Sequence, residues 1–285
     1  MHNVYMNRNV FKTYVLLAAL GGFLVLVGSY FLGENGPLIG LALGLLLVGG
    51  SYWFSDKMAI RASRAQPVTE QEAPRLYGMV RELTTRGNLP MPRLFVLPSD
   101  QPNAFATGRN PKRAAVAVTE GIMKMLPEEE LRGVIAHELA HVRNRDILIG
   151  SVAAAVATGI TYVGYVGMFF GGSNDEEGGG MGGLLMFFLA PMAAGLLQMA
   201  LSRSREFEAD RTAAAMIGTG EPLARALEKM EVAAKQLPMK VNPAQASAYI
   251  VNPLSGRKAN MASLFSTHPP TAERIERLRG WRPGL

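Results

Sequence analysis

Residues 134–146 read VIAHELAHVRNRD, and the fold turns on how this stretch is understood. On a helix, His137 and His141 stand one turn apart along the axis and about 40° apart around it, so both imidazoles can reach one metal ion. Glu138 lies about 60° round from His141, close enough to touch a water on that ion without ligating it. This is the H-E-x-x-H spacing, in which two histidines hold zinc and the glutamate serves as a base. Zinc held by three protein ligands keeps a fourth position for water and lowers the pKa of that water to about 7. Leu131, Val134, Ile135, Leu139 and Val142 mark a mostly buried helix. Unpartnered polar groups are costly there, and a metal supplies the partner.

A third ligand is offered by SRSREFEAD at residues 202–210. Glu206 and Asp210 are four apart and share a helix face, whereas Glu208 points elsewhere. Glu206 as ligand and Asp210 as acceptor from a histidine N–H would complete the site. Asp146 is a poorer ligand, because it lies about 180° round the helix from His137.

Directly after Asp146 the sequence turns apolar. Residues 147–170 and 184–201 form one candidate hairpin, joined by GGSNDEEGGGMGG. Residues 13–33 and 37–55 are uncharged apolar runs forming another, with only ENG between them. About 20 helical residues cross a hydrocarbon core of roughly 30 Å. The second hairpin either spans a membrane or is buried in a soluble core, since its second run is short and holds Pro191 and Gln198. Arg8 and Lys12 precede the first run, Lys57, Arg61 and Arg64 follow the second, Arg143 and Arg145 precede the third, and Arg203 and Arg205 follow the fourth. The two connections carry only Glu34 and the acidic trio Asp175, Glu176 and Glu177. Positive-inside asymmetry therefore puts the N-terminus, residues 56–146 and the C-terminal tail in the cytoplasm.

Composition agrees with a membrane protein and excludes other classes. Apolar residues make up 48% of the 285 and charged ones 18%. There is no cysteine, which removes disulfides, thiol catalysis and cysteine-ligated metal. The net charge of +6 comes without any aromatic-interleaved basic patch, so no nucleic-acid partner is expected. The apolar runs lack the charges that mark an ion path, which argues against a transporter.

Between the apolar runs, TEQE at residues 69–72 reads as a capping box opening a helix to about Arg86. Short strands are expected at 94–97, 103–107 and 114–118, broken by Pro, Gly and Asn. Pro127 suits the first position of the next helix, with Glu128, Glu129 and Glu130 at its positive end. Residues 202–217 and 222–236 are helix-like, 236–270 reads as a long loop, and TAERIERLRG as a short amphipathic helix.

HELAH, SRSREFEAD and the later STHPPTAERIERL together resemble the HtpX-type membrane zinc metalloproteases, relatives of the CaaX-prenyl proteases. The resemblance runs along essentially the whole chain, hairpins included. It implies an α+β membrane protein: a mainly helical, zincin-like (gluzincin-type) protease domain with a small sheet, plus two transmembrane helical hairpins. The expected organisation is an N-terminal hairpin at 1–56, protease segments at 57–146 and 202–285, and a second hairpin at 147–201. It implies one Zn2+ per subunit on His137, His141 and Glu206, with Glu138 as general base. It further implies a bacterial inner-membrane endopeptidase that cleaves damaged or misassembled membrane proteins at the cytoplasmic face.

Two further features have open roles. NAFATG at 103–108 resembles an edge strand that holds extended substrate by β-addition, through Asn103, Ala104 and Phe105; its alternative is a structural hairpin. His268 either donates to the oxyanion of the tetrahedral intermediate or orients the turn before the last helix. The rival to catalysis is a membrane scaffold with a closed, structural zinc site. That rival needs four protein ligands, and the sequence offers three obvious ones.

Overall fold

A computed structural model describes residues 33–145, 203–236 and 269–283, together with Gly22 and Val25. The chain divides into two compact units, Met1–Phe54 with Leu148–Leu201, and Ser55–Ile147 with Ser202–Leu285. In the first, the described part is chiefly the beginning of helix α1 (Gly36–Ser63). Its Leu38, Leu46, Trp53 and Phe54 side chains are more than half exposed. The apolar run 37–55 is helical throughout. Among the described residues no helix is long and apolar enough to cross a membrane. The spans expected at 13–33, 147–170 and 184–201 lie outside the described residues, apart from Gly22, Val25 and Gly33.

The second unit is built on a four-stranded mixed sheet. Its strands are β1 (Gln66–Pro67), β2 (Arg93–Leu97), β3 (Ala104–Thr107) and β4 (Ala115–Thr119), in the order β1-β2-β4-β3. β2 and β4 run parallel, and the two outer pairings are antiparallel. Every residue of β4 is buried, as expected of a strand covered on both faces. Alternation sends Val116 and Val118 into the main helical core. Ala115 and Ala117 face a smaller cluster with Phe95 and Leu97, against which Ile60 of α1 packs. The two-residue β1 has no periodic signal to reveal it.

Helix α2 (Pro74–Gly87) starts later than the capping box suggests. The backbone N–H and hydroxyl of Thr69 both donate to Glu72, at 2.7 and 2.8 Å. Proline disfavours helical backbone at the residue before it, and Ala73 accordingly sits at φ −135°, ψ 58°. The motif closes a turn instead, and the helix begins at Pro74.

The short helix α3 (Glu120–Met125) is capped by Thr119, whose buried hydroxyl oxygen accepts from the N–H of Ile122 and from that of Asn103, at 3.1 and 2.9 Å. One side chain thus fixes both the exit of β4 and the approach to β3. Helix α4 (Glu128–Asn144) follows, with Pro127 as its N-cap and three glutamates in its first turn. It stops at Arg145, in the left-handed region at φ 58°, whose N–H donates to the carbonyls of His141 and Val142.

Helices α5 (residues 203–217), α6 (Glu221–Gln236) and α7 (Thr271–Arg279) complete the described unit. The core joins Leu76, Val80 and Leu83 of α2, Val134, Ile135 and Leu139 of α4, and Leu223 and Leu227 of α6. Truncating one such side chain to alanine costs about 2–5 kcal/mol. Gly133 lets α4 and α6 approach closely, because a Cβ there would stand 2.6 Å from the Leu223 nitrogen. An ion pair of 2.7 Å between Lys229 and Glu130 pins α6 to the first turn of α4. The expected loop 236–270 falls almost wholly outside the described residues, and His268 with it.

Candidate metal centre

Helical spacing and the position of α5 bring three donors together. His137 and His141 project from one face of α4, and Glu206 reaches them from α5. One ligand atom from each lies within 4.8 Å of the others. The two Nε2 atoms are 3.2 Å apart. Glu206 Oε2 is 3.6 Å from His137 Nε2, and its Oε1 is 3.6 Å from His141 Nε2. Bonds of about 2.0–2.1 Å at tetrahedral angles place zinc ligands roughly 3.3 Å from one another. The donor set fits a zinc-sized cation.

Charge points the same way. Glu138, Glu206, Asp210 and Arg274 are all buried. Ionised, the three carboxylates against one guanidinium leave two negative charges, which a divalent cation balances. Uncompensated buried charge is expensive, so a donor set of this kind calls for a metal or for protons.

Behind the ligands, Asp210 lies 2.9 Å from His137 Nδ1. A proton on Nδ1 directed at Asp210 leaves the Nε2 lone pair facing the other donors. Arg274, on α7, is only 1% exposed. It donates to both oxygens of Asp210 at 2.8 Å, and its Nη1 is 3.3 Å from Glu206 Oε2. Burial works to raise the pKa of Asp210, but the charge and hydrogen bonds of Arg274 hold it below the usual carboxylate range. Burial opposes a charge on His137, yet its hydrogen bonds to Asp210 and Glu206 outweigh this and push the imidazole up to about 9. Protons and a metal therefore compete for the same nitrogen.

Glu138 faces a different neighbour. Its Oε2 accepts from the Ala106 N–H of β3 at 2.7 Å. Burial pushes the Glu138 carboxyl up, with the His137 and His141 charges pulling against it. β3 is an edge of the sheet. Asn103 pairs inward with Thr119, which donates to its carbonyl at 2.9 Å. Antiparallel alternation then turns the main chain of Phe105 toward β4, and that of Ala104 and Ala106 to the open side.

The structure thus gathers His137, Glu138, His141, Glu206 and Asp210 as one cluster, with Ala104 on the adjoining edge. Asn103 and Phe105 belong to the same segment, but their main chain engages β4. His268 and Asp146 lie outside the described residues. Arg274 joins the cluster without a signal in the sequence: TAERIERLRG contains three arginines in one charged helix, and nothing local distinguishes the buried one.

Residues 70–282 match peptidase family M48. The chain is 53% identical to "Protease HtpX homolog" of Pelotomaculum thermopropionicum over 277 residues, 95% of this chain and 98% of that one. It is 51% identical to the protein of the same description from Syntrophobacter fumaroxidans, over 94% of this chain and 98% of that one. Among solved structures, the crystal structure of S. mikatae Ste24p has a similar fold, with a TM-score of 0.57 at 19% identity. The match covers 96% of this chain and spans 66% of that longer one.

Proposed function

The chain belongs to peptidase family M48, and from that premise we propose that this metalloendopeptidase is zinc-dependent and hydrolyses peptide bonds of damaged or misassembled membrane proteins at the cytoplasmic face of a bacterial inner membrane. Such an activity serves membrane-protein quality control under stress. The observation that carries the chemistry is the convergence of His137, His141 and Glu206 within 4.8 Å, beside a buried Glu138.

His137, His141 and Glu206 would hold the metal, which when bound supplies Lewis-acid polarisation of the scissile carbonyl and of the attacking water. Asp210 keeps His137 in the tautomer that presents Nε2. Glu138 takes the proton from the attacking water and passes it to the departing amine. Its hydrogen bond to Ala106 ties that base to β3. Extended substrate adds to the open edge through the main chain of Ala104 and the carbonyl of Ala106, whose N–H stays on Glu138; the segment expected was Asn103, Ala104 and Phe105. His268 is assigned to the oxyanion.

The membrane assignment takes 1–56 and 147–201 as hairpins, and 57–146 and 202–285 as the two protease segments. It is supported by the charge asymmetry about the apolar runs. The exposed Leu38, Leu46, Trp53 and Phe54 of α1 add to it, since apolar surface of this kind calls for a cover. A chain without cysteine suits single-cysteine labelling in intact cells. An impermeant reagent should reach Glu176→Cys and not Lys57→Cys; the reverse pattern contradicts the orientation. Cleavage of a misassembled membrane protein in vesicles tests the substrate class directly.

A further inference from the structure

A second site lies where the last turns of α1 meet β1 and β2. An open cavity of about 640 Å³ is lined by Lys57, Arg61, Arg64 and Arg93, with Asp56 as its one carboxylate. Four cationic side chains against one acid leave a strong positive excess. The α1 C-terminus, worth about half a negative charge, does not cancel it. Asp56 is already committed, since it pairs with Arg93 at 2.8 Å. That pair holds the Arg93 guanidinium 5.8 Å from the centre of the Phe95 ring. Among the described residues no carboxylate lies within ion-pair distance of Arg61 or Arg64. The floor is apolar, formed by Ile60, Ala65 and Phe95. Arg64 itself ends α1 in a left-handed conformation, at φ 57°.

A guanidinium cluster over an apolar floor suits a phosphate carried on a greasy body. The position of the cluster along the chain says which body. Asp56 is the first charged residue after Glu34, and the stretch between is the apolar run of α1. Exposed Trp53 and Phe54 immediately precede it, as aromatic residues do at a membrane interface. We propose that this cavity binds the phosphate of an anionic phospholipid headgroup, an inference that rests on the membrane reading above.

Trp53 is a built-in reporter, because the chain has only two tryptophans. Full-length Trp281→Phe protein is reconstituted into phosphatidylcholine vesicles. These contain a small fraction of brominated phosphatidylglycerol or, separately, brominated phosphatidylcholine. The anionic lipid should quench Trp53 at least about threefold more per mole. Arg61→Gln/Arg64→Gln should abolish that preference, Arg61→Lys/Arg64→Lys should retain most of it, and Arg8→Gln/Lys12→Gln should leave it intact. Equal quenching by the two lipids in the parent protein overturns the proposal. So does an equal loss in the Arg8/Lys12 variant, which means diffuse attraction and no pocket. If millimolar glycerol phosphate removes the preference, the cavity takes free phosphate and the lipid assignment is wrong. No quenching by either lipid defeats the membrane reading itself, which separates the two failures.

Discussion

Arg274 grips Asp210 through two hydrogen bonds of 2.8 Å each, although the two residues stand 64 positions apart. The pair is almost completely enclosed, with side-chain exposures of 2% and 4%. It carries α7 into the metal centre: Asp210 orients His137, and Arg274 also reaches Glu206. Replacing Arg274 with Gln should lower zinc affinity about 10–100-fold, as loss of groups that orient metal ligands typically does. Lysine restores the charge but not the forked geometry, so Arg274→Lys should recover only part of the loss. Chelator competition on the purified protein reads this without relying on activity. Wild-type affinity in Arg274→Gln would remove Arg274 from the centre.

The raised pKa of His137 makes metal binding pH-dependent. The metal-free imidazole is pushed up to about 9, so zinc must displace a proton at neutral pH. Affinity should therefore rise with pH by up to about tenfold per unit and level off above about 9. The stability of the metal-free fold moves the opposite way. The unfolded imidazole titrates near 6.5, so the contribution of this group is complete below about 6.5 and is lost as pH rises through about 9. Asp210→Asn should flatten both profiles. Zinc competition and thermal melts between pH 6 and 9.5 measure them.

Ala106 links substrate edge and base. Its N–H points away from β4 and meets Glu138 at 2.7 Å, so Ala106→Pro removes that donor without breaking the β3–β4 ladder. The expected result is a fall in kcat/KM of about 10–100-fold, with zinc content unchanged. Full activity in Ala106→Pro would mean that the hydrogen bond from Ala106 to Glu138 does not position the base.

Gly133 sets the spacing of α4 and α6. With only 2.6 Å between an added Cβ and the Leu223 nitrogen, Gly133→Ala forces backbone apart. It should destabilise the protein by about 1–3 kcal/mol, seen as a drop of several degrees in Tm. An unchanged Tm would show that the helices separate at no cost.

Most of the site is legible in local patterns, and the reason is periodicity. A spacing of four on a helix fixes which way two side chains point, so His137 pairs with His141, and Glu206 with Asp210, on spacing alone. The strands fall within about a residue of their expected positions because short, largely apolar runs bounded by Pro and Gly leave little choice. The features that local patterns miss are settled by long-range packing. Arg274 shares its helix with Arg277 and Arg279, and only the docking of α7 against Asp210 selects it. Helix α2 starts late because Pro74 overrides a capping box of which only the bond from the Thr69 N–H to the Glu72 side chain forms. The inward pairing of Asn103 depends on Thr119, a partner 16 positions away.

The central claim is that Glu138 moves the proton while His137, His141 and Glu206 hold the metal. Full-length Glu138→Gln, reconstituted in vesicles and loaded with zinc, separates the two roles. The expected result is one zinc per chain, as in the wild type, with peptide-bond cleavage slowed at least about 100-fold. Cleavage at the wild-type rate by zinc-loaded Glu138→Gln would contradict the mechanism.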